Sequence, residues 1–128
     1  MSDFSTLLAV KDLMKPEIVT ASHNTSVEEA AKTLTEKAIS SIVITDDNGH
    51  IAGILTETEI VRNVVAKSLN PAATKVSQAM NPDVQRINGD TSIFDARHKM
   101  VELNVKHLVV EIGGKPVGLI SSTALLGS

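Results

Sequence analysis

Apolar positions along this chain fall into two rhythms, one of helices and one of strands. Val27, Ala30, Ala31, Leu34 and Ala38 recur at i, i+3, i+4, i+7 and i+11, the stripe of a helix with one face on a core. Asn24-Thr25-Ser26 precedes it as a helix start, with Thr25-x-x-Glu28 or Ser26-x-x-Glu29 available as a capping box. Glu17-Ile-Val-Thr20 is β-branched and follows Pro16, which predicts a strand. Ser41-Ile-Val-Ile-Thr45 and Ile51-Ala-Gly-Ile-Leu55 flank the turn residues Asp46-Asp-Asn-Gly49, the composition of a hairpin. From Glu57 to Lys67, the positions Ile60, Val61, Val64 and Val65 mark a second amphipathic helix. The predicted order is β-α-β-β-α.

The same order then returns. Val10-Lys-Asp-Leu-Met14-Lys-Pro16 reappears as Val76-Ser-Gln-Ala-Met80-Asn-Pro82, 66 positions on. Thr25-Ser26-Val27 reappears as Thr91-Ser92-Ile93, and Ile42-Val43-Ile44 as Leu108-Val109-Val110. One residue is lost in the turn, after which Gly53-Ile-Leu-Thr56 matches Gly118-Leu-Ile-Ser121. The second copy predicts strands over 83–87, 107–112 and 117–120, a helix over 92–104 and a turn at Gly113-Gly114. A period that fills the chain is one supersecondary unit used twice. The repeats are placed at 1–67, with an N-terminal extension, and 68–128, forming one structural module. Leu69–Thr74 reads as a linker, with Pro71 opening a helix that runs to Met80. The closing helix of the second copy is short, with only Thr123–Ser128 left. Ser5–Met14, carrying Leu7, Leu8, Val10 and Leu13, is expected to cover the surface that truncation leaves open.

Composition narrows the function classes. With 42% apolar and 21% charged residues the chain has the makeup of a globular domain. A net charge of -3 argues against a general nucleic-acid or anionic-membrane surface. Phe4 and Phe94 are the only aromatics, too few to stack successive bases. No apolar run approaches the roughly 20 residues of a membrane span. The start Met-Ser-Asp-Phe carries an acid where a secretory signal has a basic region, and cysteine is absent. A cytoplasmic location is the expectation. His23, His50, His98 and His107 are scattered, and the Asp95/His98 pair lacks further ligands, so no metal site is expected. No nucleophile-elbow or Walker pattern occurs, so catalysis is not expected either.

The most specific chemistry lies in Gly53-Ile-Leu-Thr-Glu-Thr-Glu-Ile60. A strand ends at Thr56, a helix starts at once, and an acid follows three residues later. Unpaired N–H groups at such a start favour an anion. The Thr56 hydroxyl is placed to donate to a phosphate, and Glu59 to accept from a ribose diol. The same four residues also read as a plain capping box, Thr56-x-x-Glu59.

Three stretches together carry a family resemblance: Val-x-Asp-Leu-Met-Lys-Pro at 10–16, Thr-Ser-Val-Glu-Glu-Ala-Ala at 25–31 and Gly-Ile-Leu-Thr-Glu-Thr-Glu-Ile at 53–60. In this order and repeated, they resemble a pair of CBS domains, the cystathionine-β-synthase motif, over nearly the whole chain. The resemblance implies an α+β (α/β-like) fold of tandem β-α-β-β-α repeats with pseudo-twofold symmetry. It also implies a homodimer and a regulatory rather than catalytic role. The implied ligand is an adenine nucleotide (AMP, ADP or ATP), bound in clefts that draw on both repeats, with no catalytic cofactor. Carried over residue by residue, site A joins Thr56 and Glu59 to Val84, Gln85, Val105, Lys106 and His107. Site B, the weaker, joins Ser121 to Ile18, Val19, Ile39, Ser40 and Ser41. Adenine would pack among Val84, Val105 and Ile54. The usual family acid is Asp, whereas this chain has Glu59 in one copy and Ala124 in the other. Lys106 and His107 replace Ser40 and Ser41 and bring positive charge to site A. Two alternatives stand beside this reading: S-adenosylmethionine as the ligand, and a ligand-free module that binds a separate protein partner.

Overall fold

A computed structural model describes residues 8–126. In chain order its elements are α1 (Val10–Leu13), β1 (Thr20–Ser22), α2 (Val27–Lys37), β2 (Ser41–Thr45), β3 (Ile51–Thr56) and α3 (Glu57–Ile60). A π-helical turn (Val61–Val65) and a 3-10 turn (Pro71–Ala73) follow. Then come α4 (Val76–Ala79), β4 (Arg86–Asn88), α5 (Ile93–Leu103), β5 (His107–Ile112), β6 (Lys115–Ser121) and α6 (Ser122–Leu126). The strands form two three-stranded sheets, β1-β2-β3 and β4-β5-β6. In each, the first strand runs parallel to the middle one and the last is its antiparallel hairpin partner. The result is the expected mixed α+β class, β-α-β-β-α used twice.

The long helices form where the stripes predicted them. Ser26 caps α2 by accepting from the Glu29 amide at 3.1 Å, and Ser92 caps α5 by accepting from the Asp95 amide at 3.1 Å. Each satisfies one of the orphan donors of a helix start. Val27, Ala30 and Leu34 face one core, and Ile93, Ala96 and Met100 face the other. Hairpin geometry follows turn chemistry. Gly113 and Gly114 both adopt positive φ, 60° and 79°, as the tightest two-residue hairpin demands. The first hairpin has a longer turn, in which the Asp46 side chain accepts from the Asn48 and His50 amides, each at 2.9 Å.

Packing divides the described residues into two compact units, Val19–Val84, and 8–18 together with 85–126. These cuts differ from the repeat boundaries in the sequence. Val10 is fully buried in one core with Leu108, Val110, Ile120 and Leu125, and Leu13 and Met14 pack on it. Val76 and Ala79 are fully buried with Ile42, Ile44 and Leu55. The leading segment of each repeat therefore completes the core of the other repeat's sheet. Val10, Leu13, Met14 and Leu125 of the short α6 share one core; residues 5–7 of the expected covering segment lie outside the described residues.

Two backbone latches fix this exchange. Lys15 and Leu119 exchange N–H···O bonds at 2.9 and 3.1 Å, and Asn81 and Ile54 do so at 2.9 Å both ways. The neighbouring glycines allow the approach. A Cβ at Gly118 would lie 2.4 Å from the Lys15 carbonyl oxygen, and one at Gly53 would lie 2.4 Å from Met80 Sδ.

Four elements depart from the sequence expectation. β1 starts at Thr20 rather than Glu17, and β4 at Arg86 rather than Asp83, because the ladders begin there with Thr20↔Val43 and Arg86↔Val109. The helix expected from Pro71 to Met80 is split. Thr74 and Lys75 are extended; Lys75 bridges Ser26, and the Thr74 carbonyl accepts from the Val27 amide at 2.8 Å. The helix expected over 57–67 widens into a π turn. There the amides of Ala66 and Leu69 reach back five residues to Val61 and Val64, and Asn63 Nδ2 donates to the Ala79 carbonyl at 2.8 Å.

Candidate functional site

The candidate residues sit where each long helix hands over to its middle strand and where each hairpin ends. Both long helices close with a left-handed residue, Ala38 at φ 51° and Asn104 at φ 53°. The next amide folds back five residues, Ile39 to the Leu34 carbonyl at 3.1 Å and Val105 to the Met100 carbonyl at 3.0 Å. That is the helix-ending bond of a Schellman turn. It turns Ile39 and Val105 onto their own cores and leaves Ser40 and Lys106 exposed. Asparagine tolerates this conformation well, alanine less so. Ser41 and His107 then open the middle strands.

In the unit 19–84, Ser41 is buried and registers directly opposite Thr56. The Val19 carbonyl accepts from the Val43 amide at 3.0 Å, one position ahead of β1. The start of β2 and the end of β3 thus bring Val19, Ile39, Ser40, Ser41, Thr56 and Glu59 to one end of the sheet. Val84, half-buried, lies beyond the Asn81–Ile54 latch and closes the unit. In the other unit His107 registers opposite Ser121, the Ser122 amide donates to the Lys106 carbonyl at 2.8 Å, and the Gln85 carbonyl accepts from the Val109 amide at 3.0 Å. Val105, Lys106, His107 and Ser121 therefore share the corresponding end. Ile18 is half-buried beyond the Lys15–Leu119 latch. The sets paired by the family resemblance are distributed over the units: Thr56, Glu59 and Val84 in one, Gln85, Val105, Lys106 and His107 in the other.

The geometry at Thr56 differs from the phosphate-donor expectation. Both the backbone N–H of Thr56, at 2.9 Å, and its side-chain hydroxyl donate to the same oxygen of Glu59, Oε1. The hydroxyl hydrogen is spent inside the protein, because glutamate is long enough to reach back over the first turn. Glu59 Oε2 has no hydrogen-bond partner among the described residues, and the side chain is half-buried. At the equivalent place in the second copy, Ser121 Oγ accepts from the Ala124 amide at 3.3 Å. One end therefore presents a carboxylate and the other a hydroxyl. Periodicity and motif spacing do not reveal this difference in donor direction; the four-residue capping box was its one visible signal.

The shifted ionisable groups lie elsewhere. The amide of His50 holds the Asp46 carboxyl below its ordinary value, in the turn at the far end of the first sheet, and the hydrogen bond that Lys11 donates to the Asp90 carboxylate raises Lys11. An open groove of about 400 Å³ between α2 and the π turn is lined by Val27, Ala31, Ile60 and Val65 and includes neither Thr56 nor Glu59 in its walls. Among the described residues no cluster of three metal-ligating side chains occurs, and no helix is long and apolar enough to cross a membrane.

Comparison with known proteins places this arrangement. The family model of the CBS domain matches residues 10–66 and again 76–128. The CBS domain-containing protein CBSCBSPB5 of Arabidopsis thaliana is 32% identical over 87% of this chain, which spans 20% of that protein's length. A conserved protein from Pyrococcus horikoshii superposes with a TM-score of 0.88 at 28% identity, covering 95% of this chain and 92% of its own. The CBS domain pair of protein MJ0100, in complex with 5′-methylthioadenosine and S-adenosyl-L-methionine, has a TM-score of 0.81 at 26% identity and 93% coverage of both chains. CBS domains as a class bind adenosyl small molecules and are in general regulatory, non-catalytic modules. With two family matches covering most of its length and the fold they require, the chain belongs to the CBS domain family.

Proposed function

We propose that the chain is a regulatory module that senses an adenosyl ligand. One observation carries the reading: a CBS pair of the same fold, MJ0100, holds two adenosyl compounds, and this chain keeps a half-buried acid, Glu59, at the end of the strand where the family carries its own. Glu59 Oε2 is the acceptor for the ribose hydroxyls, and Thr56 fixes the carboxylate in place. Val19, Ile39 and Ser41 lie at the same sheet end as Glu59; Gln85, Val105, Lys106, His107 and Ser121 lie at the corresponding end of the other unit. Following the family resemblance, Val84, Val105 and Ile54 are assigned aliphatic contacts with adenine, and Ile18 belongs to the weaker second site. The nucleotide form of the reading (AMP, ADP or ATP) rests on the family resemblance, and the thioether or sulfonium form on MJ0100. A cytoplasmic homodimer that passes the signal to a separate protein completes the proposal.

The test is a thermal-shift panel of AMP, ADP, ATP, 5′-methylthioadenosine, S-adenosylmethionine and NAD on wild type and Glu59→Ala. At a hundredfold excess over Kd a bound ligand adds about 2.7 kcal/mol, a shift of several degrees for a domain of this size. Loss of that shift in Glu59→Ala supports the assignment. No shift with any compound favours the ligand-free protein-interaction module instead.

A further inference from the structure

We infer that the Thr56–Glu59 end selects adenosyl ligands whose 5′ substituent is uncharged or cationic and discriminates against 5′-phosphates. The inference rests on the reading of this end as an adenosyl site and narrows its ligand class. Three observations carry it. The backbone N–H and the hydroxyl of Thr56, the hydroxyl being the side-chain donor expected for a phosphate, both point at Glu59 Oε1. What Thr56 still offers a ligand is its oxygen lone pairs, which accept. The side chain that remains free to bind is Glu59 Oε2, a second acceptor. The first turn of α3 holds Glu57 as well as Glu59 and no base, so the charge that this turn itself contributes is negative.

Each hydrogen bond here requires a donor on the ligand. A ribose diol supplies two hydroxyl donors. Its 5′ substituent is attached across the same ring, so it lies near the carboxylate that the diol engages. A phosphate there brings like charge and no donor, and like charges at short range in partly buried surroundings are costly. A methylthio group adds apolar contact without charge, and a sulfonium adds attraction. To bind a phosphate at this end, Thr56 would have to break its bond to Glu59 and leave the carboxylate without that donor. Ser121 shows the contrast within the same chain. It accepts from the Ala124 amide, so its own hydroxyl hydrogen is not committed to an acid.

Isothermal titration of the wild-type chain with adenosine, 5′-methylthioadenosine, S-adenosylmethionine and AMP at fixed ionic strength decides the matter. The expected order has the thioether and the sulfonium binding at least about tenfold tighter than AMP, the factor that ~1.4 kcal/mol produces. In Glu59→Gln the amide oxygen keeps the cap while the charge is gone, and the gap between thioether and AMP should close to within about threefold. AMP binding as tightly as 5′-methylthioadenosine to wild type overturns the inference and leaves the adenosyl reading standing. A gap that is unchanged in Glu59→Gln also overturns it, because the discrimination then has another source. Failure of every compound to bind removes the adenosyl reading and this inference with it.

Discussion

At the end of β3 a threonine gives both of its donors to the glutamate three residues on; at the end of β6 a serine accepts from the amide of an alanine. The strands that lead to these two places are alike in register, and so are the helix endings beside them. Ser41 faces Thr56 as His107 faces Ser121. The backbone is thus held constant by what the copies share, and one side chain, Glu59 against Ala124, sets whether the site end presents acceptors or a free hydroxyl. Duplication supplies the frame twice, and point differences give each copy its own chemistry.

The two latches offer the largest effect with which to break the likeness. At Gly118 an added methyl meets a backbone carbonyl and the Met14 side chain, at 2.4 and 2.7 Å; at Gly53 its closest encounters are with the flexible Met80 side chain. Gly118→Ala should cost about 2–3 kcal/mol and Gly53→Ala nearer ~1 kcal/mol, since a methionine moves aside more cheaply than main chain. Urea denaturation of the pair reads the difference. Equal losses would mean the latches are mechanically the same despite their different neighbours.

The next effect concerns the site ends themselves. Glu59→Ala removes the acceptor of two Thr56 donors and should lower stability by about 1 kcal/mol. Ala124→Glu sets a carboxylate three residues after Ser121 and should recover a few tenths of a kcal/mol by forming the missing cap. Melting temperatures that move in opposite directions would sharpen the comparison. Identical behaviour would show that the Thr56–Glu59 cap contributes nothing that Ala124 lacks.

The smallest effect is in the hairpin turns. Hydrogen bonds from the amides of His50 and Asn48 favour the charged form of Asp46, so its folded pKa lies below 3.8. The unfolded chain then takes up the proton first as pH falls. The contribution is therefore present above 3.8, the ordinary value, and is lost as the pH drops through the folded one. Asp46→Asn should be less stable than wild type at neutral pH, with the gap narrowing in acid. The Gly113-Gly114 turn contains no acid, so a Gly113→Ala control should show a gap that does not vary with pH in this range.

Much of the fold is legible in the chain because its signals are local. The stripe from Val27 to Ala38, the hairpin at Gly113-Gly114 and the serine caps each lie within a dozen residues, and repetition reinforces them. The partner of α1 is not local: the short closing helix of the second copy points to the half that Val10 and Leu13 cover, but nothing in their period names Leu108 and Ile120 as the residues they meet. The π turn depends on Asn63 reaching Ala79, a tertiary bond that overrides a good helical pattern. At the site, residue types and spacing point to Thr56 and Glu59. Which way the Thr56 hydroxyl points depends on how far a glutamate side chain reaches, and no pattern of letters encodes that reach.

The exchanged leading segments also set an order of events while the chain is being made. Every residue of the unit 19–84 is available once that stretch has left the ribosome, so its sheet, latch and core can form during synthesis. Val10 and Lys15 precede that unit, but their partners Ile120 and Leu119 follow it, so they must wait until the whole of it has been made. A segment translated before the unit is thus placed after it. Closing such a distant contact is the slow step expected of non-local topology.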